Sequence, residues 1–450
     1  MKKLFCFLIA TALLLCASLA LADDWKCPAC GNDATGNFCS NCGAAKPEEA
    51  EAAEEPSVSE EPEIPEEPTE PTEPEQPESG EGYSVLKEYS WSSMWGNYYA
   101  MVLKNTSGIT CKYDIQLVFY DSSNNIVGVS NPSVTVCDDG YEILVQASCD
   151  TIFDHVEYNV EQESSSYNDV HSYVTVTAEK ADKKAILKGV NTGTVDAEFV
   201  EYHCLFLNDN DEVVGTGWGY LVDSSSALKS GKTELREESC SEDFTKVAVY
   251  FEGRTDNSIV NDGTVDAEDI TVSTLEGCEI IKEYSWNSSW YNNYALEIKN
   301  TSGETNGYRG RIIFYDAENN IVGVSNPEIT VLDDGYETLM SASQDNAFDH
   351  IAYSVQPQKT SYEDVHSFVE VTANATGKKA ILVGKNNGTQ AAKFVEYHCL
   401  FLDKDGSVVG SDWGYLVDDD SELKPGKTEM READCYADYD SAIVFFEGRY

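Results

Sequence analysis

Tyr99-Ala100-Met101-Val102-Leu103 and Tyr173-Val174-Thr175-Val176-Thr177 show the period-two alternation that dominates the chain from residue 83 onward. Asn-Thr-Ser-Gly and Asp-rich turns separate such runs, and helical periodicity is scarce. Short strands separated by turns every eight to twelve residues or so are typical of β-sandwiches. The sequence therefore predicts an all-β protein built from β-sandwiches.

A tandem duplication organises these strands. The sequence Lys-Glu-Tyr-Ser-Trp at 87–91 recurs at 282–286, and Phe-Glu-Gly-Arg at 251–254 recurs at 446–449. Both recurrences have an offset of 195 residues (282 − 87 and 446 − 251), and the register between them holds without a gap. The two copies are therefore expected to share one fold.

Each copy contains a weaker internal repeat, because Phe-Tyr-Asp at 119–121 followed by Ile-Val-Gly at 126–128 resembles residues 206–208 followed by 213–215. Each copy is thus expected to hold two sandwiches, which gives an A-B-A-B array. The predicted domains are sandwich A1 (83–165), sandwich B1 (166–254), an acidic linker (255–277), sandwich A2 (278–360) and sandwich B2 (361–450).

The A units carry a short family motif. Val118-Phe119-Tyr120-Asp121 and residues 313–316 (Ile-Phe-Tyr-Asp) are each followed by Asn-Asn-Ile-Val-Gly. The motif resembles that of the FxLYD family, small immunoglobulin-like sandwiches of exported bacterial proteins. The resemblance implies that Phe119 lies in the core and that Asp121 opens a hairpin turn. The B units depart from the motif, and the resemblance implies a fold rather than an activity.

The N-terminus has the pattern of a secretory signal peptide at 1–22. Lys2 and Lys3 precede an apolar run at 4–21, and Ala20-Leu21-Ala22 supplies the small residues that signal peptidase requires. We expect cleavage after Ala22 and a secreted or cell-surface protein. Retention of the segment as a membrane anchor is the alternative.

The segment 23–46 predicts a metal-binding head. Cys27 and Cys30 are followed by Gly31, and Cys39 and Cys42 by another glycine, so that two C-x-x-C-G knuckles offer four thiolates. Four thiolates form a closed structural Zn²⁺ site with no open coordination position. The spacing resembles that of the short zinc ribbon of bacterial proteins. Two disulfides, or iron in a rubredoxin-like site, are the alternatives.

Charge and composition describe the next segment and exclude one class of partner. Residues 47–82 contain fifteen Glu and no Lys or Arg, with repeated Glu-Pro pairs, so a disordered and extended acidic Pro/Glu linker is expected there. The whole chain has a net charge of −50, from 80 acidic and 30 basic residues. Such a field repels nucleic acid and anionic lipid, so neither is an expected partner. Contact with a membrane is expected only if the signal segment is retained.

The remaining cysteines suggest disulfides. Cys204 and Cys240 correspond to Cys399 and Cys435 in the second copy, and both pairs have a spacing of thirty-six residues (240 − 204 and 435 − 399). We predict a bond within each pair. Cys111, Cys137 and Cys149 occur only in A1, and Cys278 is the first residue of A2. By analogy with the B units we expect Cys111 to pair with Cys149, and the partners of Cys137 and Cys278 stay open.

Aromatic residues are the best candidates for ligand binding. Trp95 and Trp290 occupy equivalent positions with polar flanking residues, where exposed rings could stack on sugars or anchor a protein. Trp218 and Trp413 are instead expected to fill sandwich cores.

The histidines are all duplicated: His155 with His350, His171 with His366, and His203 with His398. Together with neighbouring Asp and Glu they could form a metal site, and the Asp-rich turns at 138–140, 208–211 and 403–406 could bind calcium. Duplicated surface histidines and ordinary hairpin turns are the simpler interpretation.

The sequence contains no nucleotide-binding, zinc-protease or serine-hydrolase motif. We therefore expect a non-enzymatic exported protein that presents tandem sandwiches to an unidentified extracellular protein or glycan. A metal-dependent hydrolase and a purely structural surface spacer are the alternatives.

Overall fold

The computed structural model describes residues 25–26, 33–34, 79–80, 82–94, 96–223, 226–255, 261, 263–418 and 420–450. Every regular element in these ranges is a β-strand, which confirms the predicted all-β class. These residues contain no helix that is long and apolar enough to cross a membrane. The predicted signal segment (1–22), nearly all of 47–82, Trp95 and the thiols of Cys27, Cys30, Cys39 and Cys42 lie outside the described residues.

The first two strands lie in the segment predicted as a zinc ribbon and pair antiparallel: β1 (Trp25–Lys26) and β2 (Asp33–Ala34). A1 contains β3 (Ser79–Gly80), β4 (Tyr83–Ser93), β5 (Gly96–Asn105), β6 (Cys111–Tyr120), β7 (Ile126–Ser130), β8 (Ser133–Cys137), β9 (Glu142–Cys149) and β10 (His155–Ser164). B1 contains β11 (Asn168–Asp169), β12 (Val174–Ala181), β13 (Lys184–Asn191), β14 (Phe199–Leu207), β15 (Val213–Val222), β16 (Thr233–Ser239) and β17 (Lys246–Thr255).

The second copy repeats this order. A2 contains β18 (Thr274–Leu275), β19 (Cys278–Asn287), β20 (Asn292–Asn300), β21 (Asn306–Tyr315), β22 (Ile321–Ser325), β23 (Glu328–Leu332), β24 (Glu337–Gln344) and β25 (His350–Gln358). B2 contains β26 (Val369–Thr376), β27 (Lys379–Asn386), β28 (Phe394–Leu402), β29 (Val408–Val417), β30 (Thr428–Asp434) and β31 (Ser441–Arg449).

Each unit consists of two sheets. In A1 the strand orders are β3-β4-β5-β9 and β10-β6-β7, with β8 also paired to β6. In B1 they are β12-β13-β16 and β11-β17-β14-β15. A2 and B2 repeat these orders without strands equivalent to β3 and β11 among the described residues, and A2 gains β18, which runs parallel to β25. The array of tandem sandwiches predicted from the alternation is therefore confirmed.

The stretch 99–103 shows why β5 alternates yet has two buried faces. Tyr99, Met101 and Leu103 point into the A1 core, while Ala100 and Val102 point the other way and contact B1. Period-two alternation gives the direction of each side chain but not what covers the second face.

Apolar contacts join all four sandwiches. Ala100, Val102 and Leu144 of A1 pack on Leu205 and Leu207 of B1. The equivalent A2–B2 contact includes Trp286, Leu339 and Leu400. A third cluster joins B1 to A2, with Ile186 and Leu235 on one side and Ile313 and Val324 on the other.

The segment predicted as a linker (255–277) is docked against its neighbours. Val265 donates a backbone hydrogen bond to Thr192 of B1 (2.8 Å), and the Glu268 amide donates to the Gly231 carbonyl (2.8 Å). β18 then adds a strand to a sheet of A2. This segment therefore ties B1 to A2.

The two motif residues of A1 lie where the FxLYD resemblance implies. Phe119 is fully buried in the A1 core. The Asp121 carboxylate accepts hydrogen bonds from the amides of Ser123 (2.8 Å) and Asn125 (2.9 Å), which closes the hairpin turn. Hydrogen bonds from Asn125 and Ser123 hold the pKa of Asp121 below its usual value.

Candidate binding surface

Trp290 is a strongly exposed aromatic residue, as the sequence predicts for a ligand-binding position. It lies between β19 and β20 with 83% of its surface accessible, beside the half-exposed Tyr291. Its equivalent in the first copy, Trp95, lies outside the described residues. Trp286, four residues earlier, is buried in the A2–B2 contact.

The prediction that Trp218 and Trp413 fill sandwich cores is wrong, because each is 61% exposed. Trp218 lies on β15, the last strand of its sheet, between Gly217 and Gly219. The two glycines face inward, since a Cβ on Gly219 would lie 2.7 Å from the Tyr202 hydroxyl. Residues between them must point outward. Alternating glycines beside a Trp were the sequence signal for this exposure.

Trp218 begins a row of contacts across one face of B1, which we call the aromatic ladder. Its ring meets that of Tyr220 edge-on at 5.9 Å, and Tyr220 meets Phe199 at 5.3 Å. The Arg254 guanidinium then lies over the rings of Phe199 (4.2 Å) and Tyr167 (4.6 Å). The ladder therefore carries exposed rings at one end and a cation at the other.

B2 carries the same ladder. Trp413 meets Tyr415 at 6.0 Å, Tyr415 meets Phe394 at 5.3 Å, and Arg449 lies over Phe394 (4.2 Å) and Tyr362 (4.6 Å). Strand register explains the repetition, because Phe199 lies opposite Arg254, and the second copy has the same pairing. The chain thus presents two nearly identical surfaces.

The Trp end of the ladder differs between the copies. In B2, Trp413 and His398 border a pocket of about 290 Å³ at the contact with A2. In the first copy the Gln146 amide lies 3.5 Å from His203, the equivalent of His398. The second copy has Ser341 where the first has Gln146, so a shorter side chain opens this space.

His171 is a structural residue at the contact between A1 and B1. Its Nδ1 lies 2.6 Å from Asp169, its Nε2 lies 3.0 Å from the Phe251 carbonyl, and its ring stacks on Tyr141 and Phe251. The other Asp169 oxygen accepts a hydrogen bond from the Asp138 amide of A1 (2.8 Å). The Asp-Val-His sequence therefore latches B1 to A1.

The second copy has the same latch, in which Asp364 accepts from His366 and from the Asp333 amide of A2, both at 2.6 Å.

The other histidines have single carboxylate neighbours: His155 lies 3.2 Å from Asp154, and His203 lies 3.3 Å from Glu201. Within the described ranges, no three His, Cys, Asp or Glu side chains group as metal ligands would. The Asp-rich turn at 208–211 is closed by the Asn208 side chain, which accepts from the amides of Asn210 (2.9 Å) and Glu212 (3.1 Å).

A buried carboxylate adds to each A–B contact. Glu252 accepts from the Thr135 amide (3.2 Å), and Glu447 accepts from the Thr330 amide (2.9 Å). Burial raises the pKa of both carboxyls, although the hydrogen bonds from Thr135 and Thr330 act in the opposite direction.

Cys204 and Cys240 are both buried in one cluster of the B1 core, and Cys399 and Cys435 share the B2 core. No disulfide joins any two of the eight cysteines that the structure describes. Burial raises the pKa of Cys204 and Cys399 to about 12. Burial therefore disfavours the thiolates of Cys204 and Cys399 in the folded protein, and a bond forms more readily before the core closes. The two predicted bonds stay predictions.

The expected pairing of Cys111 with Cys149 is wrong on geometric grounds. Cys111 begins β6, whereas Cys149 packs against Gly128 near Phe119, eight residues further along that strand. At about 3.3 Å per residue the two thiols are far apart. Cys111 instead lies directly opposite Cys137 on β8.

Comparison with known proteins adds two weak structural likenesses. No protein-family model matches the chain, and no curated protein matches it. The native conformation of Escherichia coli alpha-2-macroglobulin aligns over 82% of this chain and 26% of that one, at 7% identity and a TM-score of 0.13. The same protein activated by porcine elastase aligns over 83% and 44%, at 8% identity and a TM-score of 0.11. The chain thus spans less than half of these proteins, and TM-scores this low carry no inference.

Proposed function

We propose that this protein is an exported, non-enzymatic recognition protein whose B sandwiches bind polysaccharide through the two aromatic ladders. The observation that supports this proposal is the duplication of an exposed Trp–Tyr pair on an edge strand, with ring distances that agree within about 0.1 Å between copies. Contiguous exposed apolar side chains often mark binding surfaces, and flat aromatic faces stack on the apolar faces of sugars.

A repeating ligand suits this arrangement better than a single protein epitope. Two equivalent sites on one chain bind successive units of a polymer, and the second contact then becomes intramolecular. Trp290, and by equivalence Trp95, adds an aromatic contact on each A unit under the same proposal. A protein partner is the alternative occupant of the ladders.

Binding of the full exported chain to a panel of immobilised polysaccharides tests this function. We expect Trp218→Ala and Trp413→Ala each to weaken binding about tenfold, the loss that corresponds to about 1.4 kcal/mol. The double variant should lose about a hundredfold or more, because avidity is lost as well. Trp95→Ala and Trp290→Ala measure the contribution of the A units.

Tyr436→Ala is the matched control, because Tyr436 is 95% exposed on B2 and makes no contact with the ladder in the described part of the chain. Wild-type binding by the double Trp variant would exclude the ladders as the binding surface. Binding of a protein partner, with no polysaccharide bound, would favour the alternative occupant.

The N-terminal head enters the proposal as a structural zinc ribbon held by Cys27, Cys30, Cys39 and Cys42. Elemental analysis of the exported protein should give about one zinc per chain. About three would instead support a metal hydrolase built on the duplicated His and carboxylate groups, and none would favour two disulfides in the ribbon.

A further inference from the structure

A cleft with a volume of about 810 Å³ lies between B1 and A2. This volume is within the range of ligand-binding sites, roughly 300 to 1,000 Å³. Both sandwiches and Glu268 of the connecting segment line it. The cleft is therefore a feature of the junction and not of either unit alone.

The lining of the cleft carries a net positive charge, whereas the whole chain is strongly negative. Six basic residues line the cleft, against three acidic ones, Glu198, Glu234 and Glu268. The whole chain has a net charge of −50. The basic residues are Lys229, Lys232, Arg254, Arg309, Arg311 and Lys359. In a chain with only 30 basic residues, this concentration makes the cleft the natural position for an anionic ligand.

Internal ion pairs neutralise only part of this charge. Glu268 binds Arg311 (2.9 Å) and Lys232 (3.2 Å). Outside the cleft lining, Glu328 lies 3.7 Å from Arg309, and Glu252 lies 4.0 Å from Arg254. Burial raises the pKa of Glu268, but Arg311 and the other cationic and amide donors outweigh this effect and hold it below its usual value. Lys229 and Lys359 are exposed at the rim and form no ion pair with any described residue.

Arg311 is held in place with one donor unused. The residue is 9% exposed, and its guanidinium binds Glu268 and the Thr233 carbonyl. Its Nε and the Thr233 hydroxyl are buried without a hydrogen-bond partner among the described residues. Burial of a donor without an acceptor leaves its desolvation cost uncompensated, and a bound oxygen acceptor would offset that cost.

Arg309 and Arg311 are specific to this junction. Their equivalents in the first copy are Asp114 and Gln116, on the same strand of A1. Two cationic side chains therefore occur only where an A unit follows a B unit in the described array. This difference concentrates positive charge at the B1–A2 cleft.

The cleft is continuous with the B1 ladder, because Phe199 and Arg254 belong to both. We propose that the cleft binds the anionic groups of an acidic polysaccharide, whose neighbouring sugar rings stack on the ladder of B1. The carboxylate or sulfate oxygens contact Arg309, Arg311 and the rim lysines. This inference rests on the polysaccharide recognition proposed above and specifies the ligand class.

Affinity measurements with the full exported chain test the proposal. The probes are polygalacturonate, its carboxyl-reduced form, dextran sulfate and poly-L-glutamate. We expect Arg309→Asp and Lys229→Glu each to weaken binding of an acidic polysaccharide tenfold or more, and added salt to reduce wild-type binding. Neither variant should change binding of the carboxyl-reduced polymer. Preference for polygalacturonate or dextran sulfate identifies the anionic group.

The matched control is Lys424→Glu, which changes the equivalent of Lys229 in B2, outside the cleft, and should leave affinity unchanged. Arg311→Gln, which introduces the residue found in A1, provides a further variant. If this variant unfolds because it loses the Glu268 contact, the Arg309→Asp and Lys229→Glu variants still test the proposal. Equal loss in Lys424→Glu and Lys229→Glu overturns the proposal, because only general charge then matters.

Equal binding of the acidic and carboxyl-reduced polymers also overturns the acidic specificity while the ladder proposal survives. If the ladder variants Trp218→Ala and Trp413→Ala bind like wild type while the cleft variants lose affinity, the proposed function is contradicted instead. Poly-L-glutamate binding that equals or exceeds polysaccharide binding assigns the cleft to an acidic peptide and overturns the sugar class.

Discussion

The two copies share one scaffold but differ at opposite ends of their aromatic ladders. In the first copy the ladder continues from Phe199 and Arg254 into the basic cleft that A2 completes. In the second copy the ladder instead has a small pocket at its Trp end, beside His398 and Trp413. The ladder itself is nearly the same in both. The comparison teaches that the repeat supplies a common aromatic surface and that contacts with neighbouring sandwiches differentiate it.

Removal of the predicted disulfides should have the largest effect on the free energy of unfolding, and the effect should be the same in both copies. A bond between Cys204 and Cys240 closes a loop of about 37 residues, for which loop-closure entropy gives about 4 kcal/mol, and Cys399 with Cys435 should give the same. Cys204→Ser and Cys399→Ser should therefore lower the free energy of unfolding equally under oxidising conditions.

Peptide mapping without reduction checks these bonds directly. Where A1 thiols are oxidised, the strand register favours a bond between Cys111 and Cys137. The second copy has Asn306 and Leu332 at these positions, so the bond would distinguish A1 from A2. A Cys111–Cys149 peptide would contradict the register.

The second-largest effect should come from a pair of substitutions in B1, of which the first destabilises the sandwich and the second compensates. A Cβ on Gly217 would lie 2.2 Å from the Glu238 side chain, whereas B2 has Asp412 and Ala433 at the equivalent positions. Gly217→Asp should destabilise B1 by about 3 kcal/mol, through overpacking and repulsion between carboxylates. Adding Glu238→Ala should recover most of the loss. Urea unfolding of the four members of the double-mutant cycle measures the coupling, and simple additivity would contradict it.

The latch should respond equally in the two copies. Asp169→Ala and Asp364→Ala each leave a buried amide and a histidine nitrogen without their acceptor, at a cost of about 2 to 3 kcal/mol. Hydrogen exchange at the amides of Asp138 and Asp333 measures the opening of each A–B contact. A metal role for His171 predicts a change in bound metal instead, and a structural role predicts none.

The smallest expected difference concerns pH. Burial raises the pKa of Glu252 and Glu238 in the first copy, and of Glu447 in the second, where Ala433 replaces Glu238. A carboxyl whose pKa is higher in the folded than in the unfolded state binds more protons when folded. It therefore destabilises the protein as pH rises from its unfolded value, about 4.5, through its folded value.

The first copy should accordingly lose slightly more stability than the second over this range. Thermal unfolding of wild type, Glu252→Gln and Glu238→Gln between pH 4.5 and 8 measures the slopes. Each Gln variant should flatten the pH dependence. A steeper slope in either variant would contradict the assigned direction.

The sequence predicted the sandwich array because alternation and a gap-free duplication are local properties of the chain. It did not reveal that Ala100 and Val102 face a neighbouring sandwich, since alternation gives direction and not the identity of what covers a face. Trp218 was placed in a core because large aromatic residues are usually buried there. The flanking glycines indicated otherwise, because they leave the inner face to Tyr202.

The cleft was harder to foresee than the ladder. Arg309 and Arg311 differ from Asp114 and Gln116 in the first copy, and an alignment of the two copies alone exposes that difference. Lys229 and Arg254, however, come from another sandwich, and only the packing of B1 on A2 brings them beside the arginines. The docked segment that carries Glu268 contains many acidic and polar residues and was predicted as a simple linker.

The docking of B1 on A2 also sets how many sites a given number of repeats can carry. Each copy brings its own ladder, whereas this cleft is formed where one copy meets the next, so the described residues hold two ladders and one such junction. A longer array built by inserting a further copy with the arginines of A2 would have three ladders and two clefts. Adding one copy would thus double the number of anion-binding clefts but raise the number of aromatic ladders by only half, so the preference for anionic ligands would grow with repeat number.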